Sequence, residues 1–295
     1  MKKLRYLLLI CCAALPAVPA TLLASRPELT VEAVWRMDTI YAFNEAIRTL
    51  NRIERLTGDQ TREFRYAKAV TLLNMPTKTQ GNMNNVNLIF LGLVNEYAGD
   101  DIGIASQYFV GRILQIHNMP ANQDLPGARK IYRELFKAHP ENTMAQLGYV
   151  RAVMLELYDK TATDTIAQRL RRLVAEHPTF TDKDVEKGYH LTLAQAYLIH
   201  GVSKERALEH YLAADKIGIR RWRMRSDVYV AITGLALETG RDDVAVLYCK
   251  KYLKSFQRDD RNYLMRLRLA GLLGVPVEQV TDDWVESELA AGEKQ

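Results

Sequence analysis

From Val31 onward, apolar residues recur at intervals of three and four, and short polar turns break the apolar runs. That is the period of an amphipathic helix, and the strict alternation of strands is nearly absent. The pattern predicts an all-α chain of many short helices. Two stretches end alike: Ala128, Tyr132, Leu135 and Pro140 in one, Ile166, Leu170, Leu173 and Pro178 in the other. Positions 0, +4 and +7 of this frame share one helical face, and the proline at +12 cannot continue a helix. The frame recurs at Ala207, Tyr211 and Ala214 and at Ala245, Cys249 and Tyr252. Weaker copies start at Ala46 (Leu50, Ile53) and Val86 (Phe90, Leu93). Each follows another helical stretch with a small or modest residue at its packing point, such as Ala67, Gly111, Gly148, Ala194 or Thr233. A small residue there lets two helix backbones approach closely. A helix pair repeated along the chain is the expected architecture.

The clearest copy runs Leu193-Ala194, Tyr197 and Gly201, then Ala207, Tyr211 and Ala214. It resembles the tetratricopeptide repeat, Leu-Gly/Ala-x-x-Tyr-x-x-x-Gly followed by Ala-x-x-x-Phe/Tyr-x-x-Ala, with one added residue. Gly240 and Ala245 keep the family's own spacing. The resemblance implies a right-handed superhelical solenoid of helix-turn-helix repeats over residues 28–257. About six units are expected, at 28–58, 61–98, 105–140, 142–178, 187–219 and 226–257. The turns at 74–84, 117–127 and 158–164 are longer than the family's, either as loops that touch a partner or as tolerated surface length. Residues 260–295 are expected to form capping helices and a tail. One helix would span 262–273 with Leu264, Leu267 and Leu269 apolar. The last would start at Thr281 as N-cap, with Asp282 and Asp283 in its first turn, Trp284 and Leu289 inward, and Glu286 and Glu288 on an acidic outer face.

The resemblance also implies a non-catalytic scaffold or adaptor, binding a protein or peptide in a concave groove or along a loop edge. Counting one residue past each packing point places Lys68, Arg112, Tyr149 and Gln195 in that groove, with Tyr108 one turn before Arg112. The asparagines of the family's carboxylate-gripping grooves are missing, which argues against a chaperone-tail clamp. A groove for an extended acidic or amphipathic peptide stays open, as does the plainer reading of ordinary exposed helix residues.

The chain begins Met-Lys-Lys-Leu-Arg, followed by an apolar run at 7–15, Pro16 and Val18-Pro19-Ala20. A basic head, a short apolar core and small residues before a cut describe a secretory signal over residues 1–20, cleaved after Ala20 or, as second choice, after Ala24. The alternative is a retained anchor over 7–24, against which Pro16 and Pro19 argue. Membrane contact follows only if this segment is kept. Lipidation at Cys11 or Cys12 is disfavoured by Ile10 before Cys11. Either way the body is expected to be exported, periplasmic or periplasm-facing, with an envelope protein or peptide as partner and no nucleic acid. Cys249 then stands alone, most simply as a small buried apolar residue.

Composition adds limits. The 295 residues are 48% hydrophobic with only 16 Gly and 9 Pro, which excludes a disordered or collagen-like chain. The formal net charge of +5 shrinks once Lys2, Lys3 and Arg5 leave with the signal. The remaining charge is polarised, with 15 basic against 9 acidic residues in 200–270. Its sharpest concentration is Arg220, Arg221, Arg223 and Arg225 around Trp222. This run reads either as a binder of an anionic cell-surface polymer, lipid headgroup or partner, or as a solvated junction with Trp222 filling the core between repeats.

Signatures of chemistry are missing. There is no His-Glu-x-x-His, Gly-x-Ser-x-Gly, Walker loop or Gly-x-Gly-x-x-Gly. His190, His200 and His210 lie ten residues apart, which is not ligand spacing; His139 and His177 precede prolines at expected helix ends; His117 has no partner in sequence. The pairs Asp242-Asp243, Asp259-Asp260 and Asp282-Asp283 are expected to open helices. No catalytic residue, cofactor-binding residue or metal ligand is predicted.

Overall fold

A computed structural model describes residues 29–116, 123–176 and 178–292. The expected signal, its cleavage sites, Cys11, Cys12, His117 and His177 lie outside the described residues. The described residues form helices and turns without a strand and divide between two compact units, one up to Tyr158 with Thr179–Thr181, the other from Asp159 to Pro178 and from Asp182 onward.

Unit 1 holds α1 (Val31–Thr39), α2 (Phe43–Thr57), α3 (Arg62–Asn74), α4 (Gln80–Glu96), α5 (Asp101–Leu114), α6 (Leu125–Ala138) and α7 (Thr143–Leu157). Each helix packs on the next, so the chain runs as helical hairpins. In addition α1, α3, α5 and α7 pack on one another in turn, making a layer of first helices. Unit 2 holds α8 (Ile166–Ala175), α9 (Lys183–Ile199), α10 (Lys204–Ile217), α11 (Trp222–Glu238), α12 (Asp242–Ser255), α13 (Asn262–Leu273) and α14 (Asp282–Gly292). Here α9 through α13 pack consecutively, and α14 lies on α12.

The periodic frame is the core. Ala46, Leu50, Val86, Phe90, Leu93, Ala128, Tyr132, Leu170, Leu173, Ala207, Ala214, Ala245, Cys249 and Tyr252 are all buried. So are the small packing residues that precede them. Gly111 and Gly148 flank the fully buried Tyr132: a Cβ added at Gly111 would meet the ring at 2.6 Å, and one at Gly148 at 3.1 Å. The aromatic ring thus fills the space that two glycines leave open, which is close packing at native density.

Capping decides where the helices begin. Asp100 accepts from the Gly103 N–H at 2.7 Å and Asp182 from the Asp184 N–H at 2.9 Å. These caps start α5 and α9 about a turn before the apolar pattern does. Thr79 accepts from the Asn82 N–H at 3.2 Å, so α4 begins inside the stretch 74–84 that reads as a turn. Thr281 caps α14 through the Trp284 N–H at 3.2 Å.

The C-terminal packing differs from the pattern in two places. Leu269 is buried, but Leu264 and Leu267 face solvent. Glu288 does not sit on a free acidic face: it pairs with Lys250 of α12 at 2.8 Å, and the same ammonium lies 5.4 Å from the centre of the Trp284 ring. Among the described residues no helix is long and apolar enough to cross a membrane.

Candidate functional site

Four of the five groove positions lie in unit 1 and Gln195 lies in unit 2. Lys68 is tied to Glu54 of α2 at 2.7 Å, and this pairing draws the Glu54 carboxyl below its ordinary range. Tyr108 and Arg112 meet around Tyr132. The Tyr108 and Tyr132 rings are 5.7 Å apart, and Arg112 and the Tyr132 hydroxyl both donate to Gln115 Oε1. Tyr108 also accepts from Arg151 Nε at 2.7 Å. Tyr149 packs against Phe136 and Phe180. Tyr108 and Tyr149 are buried, because α5 and α7 are covered both by their hairpin partners and by each other. Gln195 is exposed on α9 of unit 2.

The histidines are partly reorganised by the fold. His139 and His200 sit at the C-caps of α6 and α9. His190 on α9 and His210 on α10, distant in sequence, meet at 2.9 Å between their Nδ1 atoms, and His210 stacks on Tyr197. One ring must donate and the other accept, so the pair is neutral on at least one side. Burial and the neighbouring imidazole push His210 down to about 4. Among the described residues no group of three His, Cys, Asp or Glu side chains could hold a metal. Cys249 is buried, and burial pushes its thiol up to about 11. A thiol so protonated is a core side chain rather than a nucleophile.

The arginine run opens α11. Arg220 is 83% exposed and lies 4.0 Å from Asp184, and Arg221 occupies the N-cap position. Arg223 stacks on Trp222 at 5.3 Å. Arg225 turns inward, its guanidinium 5.4 Å from the Phe256 ring centre, with a buried Nε that has no partner. Trp222 does not fill the core: it is 55% exposed. The reason is its place as the first residue of the helix, before the face built from Ser226, Val228 and Tyr229 turns into the core.

Trp222 and Arg223 form one wall of an open cleft of about 1130 Å³. The corner between α12 and α13 also lines it, contributing Lys254, Phe256, Arg258 and Asp260. Arg261 holds the corner. It donates to Ser226 Oγ at 2.6 Å, to Asp227 Oδ1 at 2.8 Å and to Asp259 Oδ1 at 3.1 Å. Ser226 donates in turn to Asp259 Oδ2 at 3.0 Å. These bonds, Arg261 first, hold the Asp259 carboxyl well below the usual carboxylate range. Asp259 is therefore a corner clamp rather than a helix opener, since α13 begins three residues later.

The cleft's charges fall into two sets. Asp227 and Asp259 share Arg261 as their ion-pair partner. Arg223, Lys254 and Arg258 are exposed and reach no carboxylate among the described residues. Only the first of these was legible as part of a site. The polar run Lys254–Arg261 was the available signal for the others, and it reads just as well as an ordinary turn.

The fold and the cleft together define a class: an all-α protein of stacked helical hairpins, with accessible cations gathered beside an exposed indole. No family model matches the sequence, and no curated protein sequence matches it. Among solved structures it is similar to a tetratricopeptide repeat protein of Parabacteroides merdae, with 13% identity, 85% of this chain and 86% of the other covered, and a TM-score of 0.43. It is similar also to a thermophilic tetratricopeptide repeat protein of Thermus thermophilus, with 16% identity, 73% and 100% covered, and a TM-score of 0.40. A third likeness is to the APC/C hetero-tetramer Cut9–Hcn1, with 11% identity, 92% and 46% covered, and a TM-score of 0.44. At these identities and scores the likenesses say nothing about what this chain binds.

Proposed function

We propose that this chain is a non-catalytic protein-interaction scaffold of the cell envelope, and that it takes a segment of a protein partner in the cleft of unit 2. The observation that carries this reading is the contrast in how polar groups are used. Most candidate chemical groups are engaged in caps, ion pairs or the core. The cleft instead presents an exposed indole and three cations without a carboxylate partner among the described residues, on a wall held rigid by Arg261. Binding surfaces are enriched in such Trp and Arg anchors. The tetratricopeptide-like frame supports the scaffold role. The basic head and apolar run of residues 1–20 support export to the periplasm or its face.

Two experiments test it. A photo-crosslinking residue at position 222, expressed in cells, should yield a discrete protein adduct, while the same residue at exposed Lys160 should not. No adduct at position 222 under any growth condition would overturn the scaffold reading. N-terminal sequencing of the protein from the soluble envelope fraction should begin at residue 21; an intact Met1 in the cytosol would overturn the location.

A further inference from the structure

We infer that the segment received in this cleft is acidic, with an apolar or aromatic side chain that lies on Trp222 while its carboxylates meet Arg223, Lys254 and Arg258. This deepens the proposed function and rests on it. The charge balance of the cleft specifies the sign. Arg261 engages both Asp227 and Asp259 by direct hydrogen bonds, and its single positive charge offsets one of the two carboxylates. Over the whole lining, the four cations Arg223, Lys254, Arg258 and Arg261 outnumber the three carboxylates Asp227, Asp259 and Asp260, and the three cations outside the Arg261 cluster have no carboxylate of their own among the described residues. An acidic segment completes these pairs; a basic one would meet like charge on both walls.

The mixed lining specifies the class of partner. A uniformly charged polymer would bring charge against Asp260 and leave the indole against water, and the anionic face of a membrane would likewise bring charge against Asp260. A peptide supplies what each wall lacks. Its carboxylates pair with guanidinium and ammonium groups, its apolar side chain covers the exposed ring, and its backbone N–H groups suit Asp260 as donors. The walls are also preorganised. The bonds from Arg261 tie Ser226 and Asp227 of α11 to the corner at Asp259, so less ordering is needed on binding.

The test uses the full chain and defined probes. A fluorescent peptide of alternating glutamate and phenylalanine is titrated beside its glutamine counterpart, a lysine–phenylalanine peptide, inorganic phosphate and phosphatidylglycerol vesicles. The glutamate peptide should bind tightest, weaken steeply with salt, and change the fluorescence contributed by Trp222. Arg258→Glu or Lys254→Glu should weaken it about tenfold each, and Trp222→Ala by a similar factor with little change in salt dependence. The double reversal Lys254→Glu with Arg258→Glu should gain binding to the lysine peptide. That gain also shows that loss is not caused by misfolding, since both side chains are exposed. Equal binding of the glutamate and glutamine peptides, or reversals without effect, would overturn the inference. So would tighter binding of phosphate or vesicles, which would instead reassign the cleft to an anionic polymer or lipid. A crosslinked partner that docks through a non-acidic segment would sink the inference and leave the scaffold reading standing.

Discussion

Replacing Gly111 by alanine would place a methyl carbon 2.6 Å from Cε1 and 2.8 Å from Cζ of Tyr132. The ring has little room to retreat. It is fully buried, a Cβ at Gly148 would already meet its Cδ1 at 3.1 Å, and its hydroxyl donates to Gln115 at 2.7 Å. Helix propensity alone favours alanine over glycine by about 1 kcal/mol. Overpacking a dense core costs about 1–3 kcal/mol, and displacing the tyrosine hydroxyl costs about 1 kcal/mol more. The expected net loss is about 1–3 kcal/mol, localised to unit 1. Gly92 is the matched control: it lies inside α4, and a Cβ there meets nothing within 4 Å. Gly92→Ala should stabilise by up to about 1 kcal/mol. Urea titration with hydrogen exchange over α5, α6 and α7 reads both variants. Tyr132→Leu, which removes the colliding atoms, should partly rescue Gly111→Ala, giving a coupling of about 1 kcal/mol. If Gly111→Ala is as stable as Gly92→Ala, the interdigitation of these helices is wrong.

The two units should respond oppositely to acid. In unit 1, Asp38 is buried, accepts from Thr71 at 2.8 Å, and has a second oxygen without a partner; burial raises its carboxyl from 3.8 to about 6. The folded state therefore holds this proton more tightly than the unfolded chain, and unit 1 should lose about 2–3 kcal/mol as pH rises through that window. Asp38→Asn should flatten the dependence; hydrogen exchange of α1 and α3 that is already flat in the parent would refute the account. In unit 2, His210 is lowered from 6.5 to about 4, so the unfolded chain protonates first and stability should fall by about 3 kcal/mol as pH drops through that range. His210→Gln should remove most of this loss in α9 and α10, and an unchanged acid sensitivity would exclude the histidine pair as its source.

Much of the fold is local and therefore legible. The frame at Ala128, Tyr132 and Leu135 marks a buried helical face because side chains three and four apart share a face whatever packs on it. Thr281 announces its helix because a cap is satisfied within one turn. The small residues Gly111 and Gly148 were legible as packing points for the same reason, although not their shared partner, Tyr132.

The site is not local, and there periodicity runs out. Tyr108 and Tyr149 look like groove positions in sequence, but neighbouring helices cover them, and a period does not say what lies across an interface. Trp222, which one reading of the sequence puts in the core between repeats, is exposed because it begins its helix instead of sitting inside the buried face. Arg261 reaches Ser226 and Asp227 across more than thirty residues, a pairing that nothing along the chain announces. The sequence by itself determined an all-α repeat, its buried faces and a basic region around 220–225. Only the tertiary structure decided which of those charges are consumed and which face a partner, since ion pairing depends on distance in space, while a repeat frame records only distance along the chain.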